Sequence, residues 1–81
     1  MSEQIEIRGE TIRLGQLLKL AGIVDSGGEA RELLAAQPVL VNGAAETRRG
    51  RQLHPGDTVR LPERELVLTT SEDDRESAPR G

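Results

Sequence analysis

The chain has no cysteine, which excludes disulfides, thiolate metal sites and cysteine nucleophiles. With a single histidine besides, it lacks the usual ligands of a zinc centre. It has no Phe, Tyr or Trp. That removes the rings on which unpaired bases commonly stack and leaves the core to aliphatic side chains. Apolar stretches run for only a few residues, far short of the roughly 20 that a membrane-spanning helix needs. Met1-Ser2-Glu3-Gln4 has neither the basic nor the apolar region of a signal peptide. A cytoplasmic protein with no membrane partner is the expectation.

What remains is 81 residues, enough for one small domain, with 11 Leu, 5 Val and 4 Ile to fill its core. Net charge is −3, unevenly spread. The segment 71–81 carries four acids and two arginines, almost nothing to bury, and reads as a disordered acidic tail behind a domain at 1–70. Ten of the eleven basic residues are Arg, and three of them crowd into Arg48-Arg49-Gly50-Arg51.

Gln4 to Arg8 alternates, with Ile5 and Ile7 on one side, as a half-exposed strand does. Leu14, Leu17, Leu18 and Ala21 form the stripe of an amphipathic helix that Gly22 stops. Ser26-Gly27-Gly28-Glu29 has capping-box spacing. It predicts a second helix over 27–36, with Ala30, Leu33 and Leu34 inward and Pro38 as its stop. The pair makes an αα unit. Val39-Leu40-Val41 runs into Asn42-Gly43, a pair suited to the positive φ angles of a tight hairpin, and Ala44 to Thr47 returns. Arg48 to His54 has no strong period and reads as an exposed loop. Pro55-Gly56-Asp57 turns, Thr58 to Leu61 alternates, and Leu66 to Thr69 pairs back.

No catalytic constellation emerges. Glu63 with Glu65, and Asp73 with Asp74, lie in a turn and in the tail, where nothing buries them for acid–base work. His54 has no nucleophile beside it, and Gly27-Gly28 fits neither phosphate-loop nor dinucleotide spacing. The cluster Arg48, Arg49 and Arg51 is the feature that carries chemistry, because guanidinium forks suit phosphate oxygens. Lys19 and Arg31, from the two helices, are placed to extend it. Contacts of this kind position a nucleic acid without reading its sequence.

Helix, helix, Val-x-Val-Asn-Gly, basic loop and Gly-Asp-x-Val, in that order over about residues 5 to 69, resemble the S-four RNA-binding domain, and most closely its small stand-alone bacterial versions. The resemblance rests on Ile12 to Lys19, Ser26 to Arg31, Val39 to Gly43, Arg48 to Leu53 and Pro55 to Val59. It implies an α+β fold of the αL kind, with the αα unit packed on a small, strongly bent, mostly antiparallel sheet. It implies a non-enzymatic module for structured RNA, ribosomal or transfer RNA among the choices, with no cofactor and no small-molecule substrate. By position, Arg13, Lys19 and Arg31 would make contacts from the helices, Asn42 and Gly43 would shape the hairpin, and Arg48, Arg49 and Arg51 would be the loop contacts. Gly15 and Gly27 stand where many enzyme-fused members carry Asp and Arg. A monomer is expected, and arginines in an exposed loop should be replaceable without harm to the fold.

Two other classes compete. A protein-interaction module would offer the arginines to an acidic partner. A β-grasp sulfur carrier also shows Val-Asn-Gly and Gly-Asp-x-Val, but its chemistry needs a terminal Gly-Gly, and this chain ends Pro79-Arg80-Gly81. If RNA is the partner, removing 71–81 takes away a net −2 and should tighten binding at low salt, where screening is weakest. Equal affinities of the full and shortened chains for a hairpin RNA at low salt would show that the tail exerts no field on the site.

Overall fold

The computed structural model describes residues 2–70, and the acidic tail expected over 71–81 lies outside the described residues. The element order is β1 (Ser2–Ile7), β2 (Ile12–Arg13), α1 (Leu14–Leu20), α2 (Gly27–Ala36), β3 (Val39–Val41), β4 (Ala44–Glu46), β5 (Gln52–Leu53), β6 (Thr58–Arg60) and β7 (Glu65–Thr70). Five strands form one sheet in the order β1-β7-β6-β3-β4, and β2 pairs with β5 in a separate ribbon. All pairings are antiparallel except β1 with β7, which run parallel from Ser2 opposite Glu65 to Ile7 opposite Thr70. This is the α+β architecture expected, two helices on a mostly antiparallel sheet.

Local chemistry explains the helix ends. Behind α1, Gly22 takes φ +77°, its amide donates to the Lys19 carbonyl, and the Ile23 amide donates to that of Leu18. These are the two bonds of a Schellman stop, and glycine supplies the left-handed residue. At α2 the Glu29 amide donates to Ser26 Oγ at 3.1 Å. The Glu29 carboxylate reaches back to the amide of Asp25, at 2.8 Å, one residue earlier than the reciprocal bond of a capping box.

The core is wholly aliphatic. Leu14, Leu17 and Leu18 of α1 and Ala30 and Leu34 of α2 pack with Val39, Val41, Val59, Leu66 and Leu68 of the sheet. Leu53 is also fully buried. That corrects the reading of Arg48 to His54 as one exposed loop: Gln52 and Leu53 form β5, with Leu53 opposite Ile12. Two residues are too few to show a period, so the strand left no mark in the sequence.

Asn42 (φ +54°) and Gly43 (φ +89°) form the tight turn of the β3–β4 hairpin. Asn42 does more than turn the chain. Its Nδ2 donates to Asp57 Oδ1 at 3.1 Å, and its Oδ1 accepts from the Thr58 amide at 2.9 Å. The hairpin is thereby tied to the 54–57 turn. Asn42→Ala should cost about 2 kcal/mol, combining a strained left-handed alanine with lost hydrogen bonds. Asn42→Gly relieves the backbone term only and should fall between alanine and wild type. Urea unfolding of the three proteins separates the contributions, and equal midpoints would remove the tie from the account.

Candidate nucleic-acid interface

The hairpin fixes where the basic loop begins. A two-residue turn sets Val39 opposite Glu46, and cross-strand partners share a face, so Glu46 lies on the buried side with Val39. Its carboxylate is almost completely saturated. Oε2 accepts from the amides of Thr47 and Arg48 at 3.1 and 2.9 Å and from Arg48 Nε at 2.9 Å. Oε1 accepts from Arg48 Nη2 at 3.2 Å and Arg51 Nη1 at 2.9 Å. The Arg48 guanidinium, then its amide, and then Arg51 hold the Glu46 carboxyl at about 2, against the burial that would raise it from its ordinary 4.5.

Two of the three clustered arginines therefore have structural work. This corrects the expectation that the whole loop is replaceable: removing Arg48 and Arg51 together strands a buried carboxylate. The Arg48 side chain nonetheless remains 74% exposed while it grips Glu46, so it still presents a cation to solvent.

The loop is then docked on α1. The Leu14 amide donates to the Arg51 carbonyl and the Gly15 amide to the Arg49 carbonyl, both at 2.9 Å. Two of the helix's unpaired first-turn donors are satisfied in this way. Gly15 is buried at the contact, where a Cβ would come within 3.2 Å of Arg49 Cβ and 3.8 Å of Ala30 Cβ. The missing side chain lets loop and both helices meet. Arg49 crosses to α2, where its Nη1 donates to the Gly27 carbonyl at 3.1 Å, and a Cβ at Gly27 would lie 3.1 Å from that same nitrogen.

At this junction Arg13, Gln16, Lys19, Gly27 and Arg49 surround a depression of about 270 Å³, with Gly15 and Gly50 completing its wall. No carboxylate lines it. Among the described residues Arg13 and Lys19 form no ion pair. Of the residues named from sequence, Arg13, Lys19 and Arg49 are brought together here. Arg48 and Arg51 sit behind them on Glu46, Arg31 is exposed on α2 without lining the depression, and Asn42 and Gly43 are at the hairpin turn. Sequence reasoning missed Glu46 and Gln16. The first was within reach, because an Asn-Gly hairpin fixes the face of residue 46 once Val39 is taken as buried.

A helix pair on a mostly antiparallel sheet, with cations gathered where a basic loop meets both helices, defines an α+β domain of the αL class. Residues 5–69 match the S4 domain, and the chain belongs to that family. It is also 48% identical over 61 residues to the probable ribosome maturation protein RlbA of Bacillus subtilis, an alignment covering 75% of this chain and 86% of that relative.

Glu46 has a depressed folded-state value, so its stabilising contribution is complete above pH 4.5 and fades as pH falls toward 2. Glu3, lowered chiefly by the Arg64 hydrogen bond, and Asp57 titrate in the same direction. The comparison with Glu46→Gln isolates the share of Glu46: the variant should be less stable at neutral pH, and the gap should close between pH 4.5 and 2. Thermal melts across that range check it, and a gap independent of pH would contradict the assignment.

Proposed function

We propose that this S4 domain is a non-enzymatic module that binds structured RNA in a ribosome-related task. One observation carries the reading: Arg13, Lys19 and Arg49, from the start of α1, its exposed face and the loop, frame a single depression that holds no acid. Against a net charge of −3, such a concentration of cations supports this face as the one that meets phosphate. The depression offers guanidinium, ammonium and amide donors but no carboxylate, imidazole or hydroxyl, so it suits binding rather than bond cleavage. Arg48, 74% exposed, adds charge from the same loop, and Arg31 is exposed on α2. The relative named for ribosome maturation supports ribosomal RNA or a precursor as the ligand and the cytoplasm as the place of action. We take the working unit to be a monomer.

Recognition by this face is by shape and phosphate position, since no aromatic ring is present to stack on bases. A hairpin should bind better than an unstructured strand of equal length, and swapping base pairs within the stem should matter little. With about four phosphates engaged, log affinity should fall with log salt at a slope of roughly −3 to −4. Arg13→Gln with Lys19→Gln should shallow that slope by nearly 2, by analogy with duplex DNA, and leave the melting curve unchanged because both side chains are exposed. Titration of a hairpin, its base-swapped form and an unstructured control across salt provides the test. An unaltered slope in the double variant would move the site elsewhere.

A further inference from the structure

The depression at the loop does not end at Lys19. Gln16 and Lys19 also line a second, more open one, which continues along the exposed face of α1 toward the end of β1. Its other walls are Arg8, Thr11, Ile12 and Leu20. Leu20 is the exposed large apolar side chain among the described residues, at 54%, and Ile12 beside it is half-buried. No acid lines this depression either, and Arg8 forms no ion pair among the described residues. An apolar floor between two unpaired cations is unlike either a solvated charged face or a protein-docking patch. A protein partner needs about 800 Å² per side with a cluster of apolar anchors. A single leucine with part of an isoleucine offers the area of one flat ring.

We propose that this depression receives one unpaired nucleotide of the bound RNA, its base packed against Leu20 and Ile12 and its phosphate held by Arg8 and Lys19. The proposal rests on the RNA-binding reading above. Leucine side chains serve elsewhere as wedges between bases, partly unstacking them. The space is about 540 Å³, within the roughly 300–1,000 Å³ of small-ligand sites. Charge complementarity fits the phosphate, and the shared walls at Gln16 and Lys19 make the depression continuous with the duplex-binding face. The apolar contact replaces, at one position, the stacking that a chain without aromatic residues cannot otherwise provide. It reads the presence of a flipped base and not its identity.

The test uses the full chain and three hairpin RNAs sharing one stem: fully paired, with a single bulged adenosine, and with that bulge made abasic. The bulged hairpin should bind about tenfold tighter than the other two, the gain from roughly 50–60 Å² of apolar surface buried between base and leucine. Leu20→Ala should erase most of that advantage while leaving the paired hairpin's affinity, the salt slope and the melting temperature unchanged. Leu20→Met should restore it. Arg8→Gln should weaken the bulged hairpin most and reduce its salt slope by nearly 1. Equal binding of bulged and abasic hairpins, or a Leu20→Ala protein that keeps the preference, overturns the proposal and leaves the duplex reading standing. Failure to bind any of the three hairpins overturns both. Self-association of wild type that Leu20→Ala abolishes, seen by sedimentation, would assign the patch to a second copy of the chain and overturn the nucleotide site.

Discussion

A single carboxylate, Glu46, organises the cationic face of this protein. It is 7% exposed, and leaving it unpaired there would be costly. The chain satisfies it from one side only, by folding residues 47–51 back so that two amides and two guanidinium groups converge on its oxygens. That closure orients the carbonyls of Arg49 and Arg51 toward the first amides of α1. Loop geometry, helix start and the placement of Arg49 over α2 all follow from the one interaction. A second bidentate pair acts similarly at the β6–β7 turn, where Arg64 holds Glu3 through both nitrogens at 2.8 and 2.7 Å and also donates to the Ala21 carbonyl. It ties β1, α1 and the start of β7 together.

Such an arrangement divides the arginines by task. Those spent on Glu46 stiffen the loop, and a stiff loop loses less conformational entropy when it meets a ligand. Arg8, Arg13, Lys19, Arg31, Arg49 and Arg60 form no ion pair among the described residues, and of these Arg8, Arg13, Lys19 and Arg49 line the two depressions along α1. Those four lie on α1, its approach and the loop docked on its first turn, so that helix is the spine of the charged face. Overall acidity and local basicity coexist because no acid lines either of the two depressions.

Strong local signals were legible in the sequence. The stripe of Leu14, Leu17 and Leu18, the Ser26 cap, the Asn42-Gly43 turn and the alternation around Val59 each stand for one element, and each element is present. The basic loop was legible as composition but not as structure. Arg48, Arg49 and Arg51 look equivalent in a row, yet one reaches α2 and two grip an acid, because neighbouring loop residues point in different directions. Arg8 sat unnoticed in an alternating strand, where a lone cation reads as solvated surface.

Periodicity, caps and turn residues act over a few positions, so the sequence alone specifies both helices, the β3–β4 hairpin, the aliphatic core and a clustering of guanidinium groups. Tertiary structure alone decided three things. It made β1 run parallel beside β7, a pairing of chain ends that no local pattern encodes. It built the two-residue strands β2 and β5, which are too short to have a period and exist because Ile12 and Leu53 meet across the fold. It also sorted the cations, since whether an arginine serves an internal carboxylate or an external phosphate depends on what lies within reach of its fork, and that is settled only when distant segments come together.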